Sequence, residues 1–216
     1  RDKRFFLWVH FFGIHWPDET HPGVRDYGPE QVDKYDHEVA FFDRECGRLL
    51  ETLSTREHPV AVFITADHGE GLAGGIRQHG LTLDEGVIRV PLIARVPGWP
   101  ARHIRVPVST IDVVPTILKL TGTPAPAYLD GIDLGQIVSG AYRQPRILFS
   151  DTWRFDAWER LEIDFSTAFD GTRKVVTDRM TGAYYEYEQR RERRMDGAND
   201  PAFETPAWLQ HANVYQ

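Results

Sequence analysis

A single cysteine, Cys46, leaves this chain no second thiol with which to close an internal disulfide, and the compartment stays open on that count. No apolar run approaches the ~20 residues that span a bilayer, so no transmembrane segment is expected. The basic start Arg1-Asp2-Lys3-Arg4 leads into only about eight apolar residues, which read as a strand and not as a signal peptide. Basic charge is in deficit, with 25 Lys and Arg against 32 Asp and Glu. The one dense basic cluster, Arg190-Arg191-Glu192-Arg193-Arg194, is interrupted by glutamate and reads as a solvated helix or loop, so no nucleic-acid partner is expected. Internal repeats and low-complexity tracts are absent. Apolar residues are not scarce: at 41% of 216 positions they can fill a sizeable core, as one large domain or one domain with an appendage. The chain begins without Met and enters a buried strand within five residues, which reads as a fragment.

The order of elements is an alternating α/β pattern, a doubly wound and mostly parallel sheet over residues 1–150. Phe5-Phe6-Leu7-Trp8-Val9 is a continuous apolar run and reads as a central strand. Gly13 to Gly28, rich in Pro and Gly, reads as a loop. From Tyr35 to Leu53, Val39, Phe42, Cys46, Leu49, Leu50 and Leu53 recur every three or four residues, which predicts a helix with Asp33 as its cap and Cys46 as a packed small hydrophobe. Residues 60–65 and 90–94 read as buried strands, the first of them parallel, with a glycine-rich loop from Gly69 to Gly80 between them. Ser109 or Thr110 opens a short helix that tolerates Pro115 in its first turn and stops at Gly122. Beyond residue 150 the composition shifts. Lys174–Thr177 and Ala183–Tyr187 around Gly182 predict an antiparallel hairpin, so residues 151–216 form a small subdomain ending in an irregular tail.

Chemistry concentrates at Thr65-Ala66-Asp67-His68-Gly69-Glu70. A carboxylate and an imidazole stand side by side where a strand ends, and open α/β sheets bind their ligands beyond the carboxyl ends of strands. Alone, such a pair is as readily a capping Asp beside a surface His. Here it is flanked by further motifs: Tyr35-Asp36-His37-Glu38-Val39-Ala40-Phe41-Phe42-Asp43, His79-Gly80-Leu81-Thr82-Leu83-Asp84-Glu85 with Arg89-Val90-Pro91-Leu92, Val108 to Leu118, and Leu129-Asp130-Gly131-Ile132-Asp133-Leu134.

In that order these segments resemble the second half of a sulfatase of the alkaline phosphatase superfamily, over roughly residues 5–190. The resemblance implies a hydrolase of sulfate esters. Asp67 and His68 match two ligands of its single divalent cation. The family implies Ca²⁺ or Mg²⁺, whereas an imidazole ligand suits Mn²⁺ or Zn²⁺ better. His15, in Gly13-Ile14-His15-Trp16-Pro17, and His79 stand where relatives place groups that contact the ester, although Gly13 and Ile14 replace a usual Asp and Pro. His10 reads as a sheet histidine and His21 as a loop residue.

The family's Cys-x-Pro-x-Arg or Ser-x-Pro-x-Arg segment, source of the formylglycine nucleophile, does not occur in these residues, nor do its paired N-terminal aspartates. Formylglycine is therefore expected only in a missing N-terminal part, and the isolated 216 residues should lack turnover. The substrate implied is a small-molecule or glycan sulfate ester, and the resemblance favours export to the periplasm or exterior. A phosphonate or phosphate ester hydrolase or a phosphoryl transferase of the same superfamily is the alternative, and a non-catalytic binding chain is a third. The aromatic and acidic segment Trp153 to Phe165 could line a pocket or simply pack.

Overall fold

The computed structural model describes residues 3–72, 79–188 and 191–195, the side chains only as far as residue 187. Its longest element is α1, Gln31–Ser54. The helix begins four residues before the apolar stripe, because Glu30 and Asp33 form a capping box: each side chain accepts a backbone N–H from the other end of the first turn. Asp33 is thus the third helical residue and not the cap. Cys46 lies buried on the stripe; burial, helped by the charge of Asp43, raises its thiol pKa.

Strand β1, Val62–Thr65, and strand β2, Leu92–Arg95, form where two apolar runs predict them. They pair antiparallel, Val62 opposite Arg95 and Thr65 opposite Leu92, so the parallel direction read for residues 60–65 is corrected. The link over residues 66–91 carries the four-residue helix α2, Glu85–Ile88, and, among its described residues, no longer helix of the kind that packs across a sheet in a parallel crossover. A 3₁₀ turn at Thr110–Asp112 then runs into α3, Val113–Thr121. Ser109 caps the turn, and Gly122 ends the helix with a left-handed φ of 70°.

Around α3 sits a buried polar knot. Asp112, 0% exposed, receives a bidentate ion pair from Arg146 and the backbone N–H groups of Ser109 and Ile132. Thr116 donates to the Asp112 carbonyl and accepts from the N–H of Leu134, which opens α4, Leu134–Val138. Every buried polar atom named there has a partner, the condition under which burying charge is tolerable.

The C-terminal hairpin is present and larger than expected. β3 (Leu148–Phe155), β4 (Leu161–Phe169), β5 (Arg173–Asp178), β6 (Tyr184–Glu188) and β7 (Arg191–Met195) form one antiparallel meander in that order. The basic cluster read as helix or loop is therefore β7 from Arg191 onward, because pairing with β6 supplies backbone partners that local charge does not reveal. The tail beyond residue 195 and residues 73–78 of the glycine-rich loop lie outside the described residues.

The apolar start does not form the expected strand. Residues 3–12 make no ladder, and Phe6 and Trp8 are 69% and 77% exposed. A strand exists only through its neighbours, and no described strand runs beside this segment. His10 consequently sits in no sheet; its ring lies 4.5 Å from that of Phe12.

Candidate functional site

Three histidines from separate stretches of sequence meet at one place. The ring of His79 stacks on that of His68 at 4.1 Å with a 19° interplanar angle, and the His15 ring lies 5.0 Å from His79 and 6.4 Å from His68. All three are residues that the sequence singles out, as is Asp67, whose Oδ2 lies 3.9 Å from Nε2 of His68.

The backbone decides which nitrogens face the site. His68 Nδ1 lies 3.0 Å from the Gly69 carbonyl and His15 Nδ1 lies 2.5 Å from the Trp16 carbonyl. A carbonyl can only accept, so each Nδ1 carries the proton and each Nε2 is left to bind something else. Such a backbone contact is how metal-binding imidazoles are commonly oriented.

Burial opposes the charge on Asp67, yet the N–H of His68 at 2.9 Å and the nearby His68 and His10 outweigh it, and the carboxyl is held below the usual range. His79 moves down too. Its desolvation, reinforced by His68 and His15, favours the neutral ring over the opposing pull of Glu70 and Asp67.

Glu70 is the member that sequence reasoning left without a role. It is 7% exposed, and its Oε1 lies 3.9 Å from Nδ1 of His79. Ligand atoms of His15, Glu70 and His79 all lie within 4.8 Å of one another. Two ligands that share one ion at about 2.1 Å can be at most ~4.2 Å apart, so the Asp67–His68 and Glu70–His79 pairs are both spaced to hold one. The donors are nitrogen and oxygen, a set that suits Mn²⁺ or Zn²⁺ better than Ca²⁺. The signal for Glu70 was its place in the Asp-His-Gly-Glu string; that its side chain would be buried was not visible there.

Close backbone packing seats this motif. Gly69 N–H donates to the Val87 carbonyl at 2.7 Å, and a Cβ built on Gly69 would lie 2.1 Å from the Gly86 oxygen. Only glycine lets the strand end approach α2 so nearly.

The His15 loop is held by α1. Glu38, 1% exposed, accepts the N–H of Glu19 at 2.6 Å and pairs with His21 Nε2 at 2.9 Å. The His21 ring stacks on Phe41 at 3.6 Å, and the His21 backbone N–H donates to His37 Nε2 at 2.9 Å. His37 Nδ1 donates to the Arg25 carbonyl and Arg44 to that of Pro22. His21, read as an unremarkable loop residue, is therefore a fastener.

A family model described as "Sulfatase" matches residues 1–123. The chain is 30% identical over 140 residues to the uncharacterized sulfatase YidJ of Escherichia coli strain K12, covering 64% of this chain and 26% of that protein. It is 30% identical over 159 residues to the steryl-sulfatase of Rattus norvegicus, covering 65% of this chain and 27% of that protein. It thus spans about a quarter of the length of these relatives. The phosphonate monoester hydrolase SpPMH of Silicibacter pomeroyi superposes with a TM-score of 0.67 at 23% identity, over 78% of this chain and 37% of that one. That likeness shows the fold: the α/β architecture of sulfatases and phosphonate hydrolases, with an antiparallel sheet at its C-terminal end.

Proposed function

The chain belongs to the sulfatase family, and from that membership we propose that it supplies one side of the active site of a metal-dependent sulfate ester hydrolase. The observation that carries this reading is the meeting of His15, His68 and His79 with Asp67 and Glu70. Asp67 and His68 Nε2 would hold one divalent cation, Mn²⁺ or Zn²⁺ by donor chemistry and Ca²⁺ or Mg²⁺ by family. When bound, such an ion polarises a sulfuryl oxygen and lowers the pKa of the attacking group. His15 Nε2 contacts the ester and, as imidazolium, passes its proton to the leaving alkoxide as the S–O bond breaks. His79, whose ring desolvation biases toward the neutral form, contacts the same ester beside His15. The formylglycine nucleophile is not drawn from these residues, and the isolated chain is expected to be inactive.

The substrate class in this reading is a small-molecule or glycan sulfate ester, and the site of action is outside the cytoplasm. No helix among the described residues is long and apolar enough to cross a membrane. In the same reading residues 151–216 form a small C-terminal subdomain. A second reading, phosphonate monoester hydrolysis, rests on the superposition on SpPMH.

The test uses protein expressed from the complete natural gene, with an aryl sulfate and an aryl phosphonate assayed side by side. Turnover of the sulfate, abolished by a chelator, restored by Mn²⁺ or Zn²⁺ and lost in Asp67→Asn, is the expected outcome. Preference for the phosphonate selects the second reading, and chelator-resistant turnover or none at all overturns both.

A further inference from the structure

Two side chains of the C-terminal sheet reach back to the segment that carries His79. Thr152 on β3, 9% exposed, donates its hydroxyl to the Gly80 carbonyl at 2.9 Å. Lys174 on β5, 5% exposed, donates to the Leu83 carbonyl at 2.9 Å and to the Glu85 carboxylate at 3.0 Å. Its ammonium also lies 5.1 Å from the centre of the Tyr187 ring. Residues 80, 83 and 85 are the same short stretch that leaves His79 and enters α2.

Burying an ammonium is costly unless its protons find acceptors, and an apolar side chain of similar length would dock a sheet equally well. A backbone carbonyl bonded from a fixed direction specifies position as well as adhesion. Neither Thr152 nor Lys174 lies among the groups that meet at the site. We propose that Thr152 and Lys174 are positioning residues for His79, holding the 80–85 backbone so that the imidazole stands against His68 and Glu70. This rests on the reading that His79 contacts the ester. A group misplaced by about 1 Å can cost 10²-fold in rate without touching substrate.

The test compares Thr152→Val, which keeps the shape and removes the donor, with Thr152→Ser, which restores the donor, in protein from the complete natural gene. Thr152→Val should lower kcat by about tenfold to a hundredfold with little change in KM, and Thr152→Ser should recover it. Lys174→Met gives the same reading where Thr152→Val does not fold. An independent readout is the His79 cross-peak in histidine-labelled protein at one fixed pH, identified by its loss in His79→Gln. It should shift in Thr152→Val and return in Thr152→Ser. Full kcat in both Thr152→Val and Lys174→Met, a loss of kcat that only follows the folded fraction, or an unmoved cross-peak overturns the proposal. If the wild-type protein turns over neither ester, the functional reading fails and the cross-peak alone decides this one.

Discussion

The loop of His15 is fastened by the helix that follows it directly, through Glu38, His37 and Arg44, whereas the segment of His79 is fastened by strands that the chain makes 72 and 91 residues later. The near brace spans 17 residues between His21 and Glu38. Closing the longer span costs about two further doublings of loop length, or ~1.2 kcal/mol, which a few buried hydrogen bonds offset. Distance in sequence is therefore a modest burden on stability, although it slows folding by raising contact order. The braces differ more in surroundings. Glu38 is enclosed and its His21 partner nearly so, while the Glu85 that pairs with Lys174 has a side chain 57% exposed.

That difference can be broken at its strongest point first. Glu38→Ala should destabilise by about 3 kcal/mol, because it empties a buried site and leaves the largely buried His21 ring and the Glu19 N–H without their acceptor. Denaturant unfolding measures it, and a loss under about 1 kcal/mol would mean that the near brace holds nothing. Lys174→Met should cost less, roughly 1–2 kcal/mol, since Glu85 can return to water and only the Leu83 carbonyl is stranded.

Smaller still is the effect of Asp170→Asn, in the turn that delivers β5. Burial opposes the charge on Asp170, but N–H groups of Arg173 and Thr172 and the Arg173 guanidinium hold its carboxyl pKa below the ordinary value. A lowered folded pKa gives stability that is present above the unfolded pKa and lost as pH falls through the folded one. Melts of the variant below about pH 4 should thus show a shallower acid loss than the wild type, and an unchanged slope would contradict the assignment. The last expectation is a near-absence. If the two braces are independent, Glu38→Ala with Lys174→Met should be additive to within about 0.5 kcal/mol, and a larger coupling would mean that the loops are held as one unit.

Much of this site was legible because its signals are local. Asp67 and His68 follow an apolar run, His15 lies two residues before Pro17 in a loop, and α1 and α3 show their stripes, with Gly122 marking where α3 stops. The hairpin at Gly182 was marked by its turn. What escaped is non-local. Glu38, Glu70, Thr152 and Lys174 look like ordinary polar residues, and only tertiary packing makes them buried. Strand β3 carries Asp151 and Arg154, and β4 Glu162 and Asp164, among their apolar residues, so their alternation is blurred. The opposite error occurred at Phe5 to Val9, where composition announced a strand that no described neighbour completes.

The contact beneath the Asp-His motif has a genetic consequence. A side chain at Gly69 would strike the main-chain oxygen of position 86, an atom that every amino acid carries. No replacement at 86 can therefore make room, and a suppressor screen begun from Gly69→Ala should return true revertants or changes that move the backbone of α2, but never a compensating side chain at its neighbour.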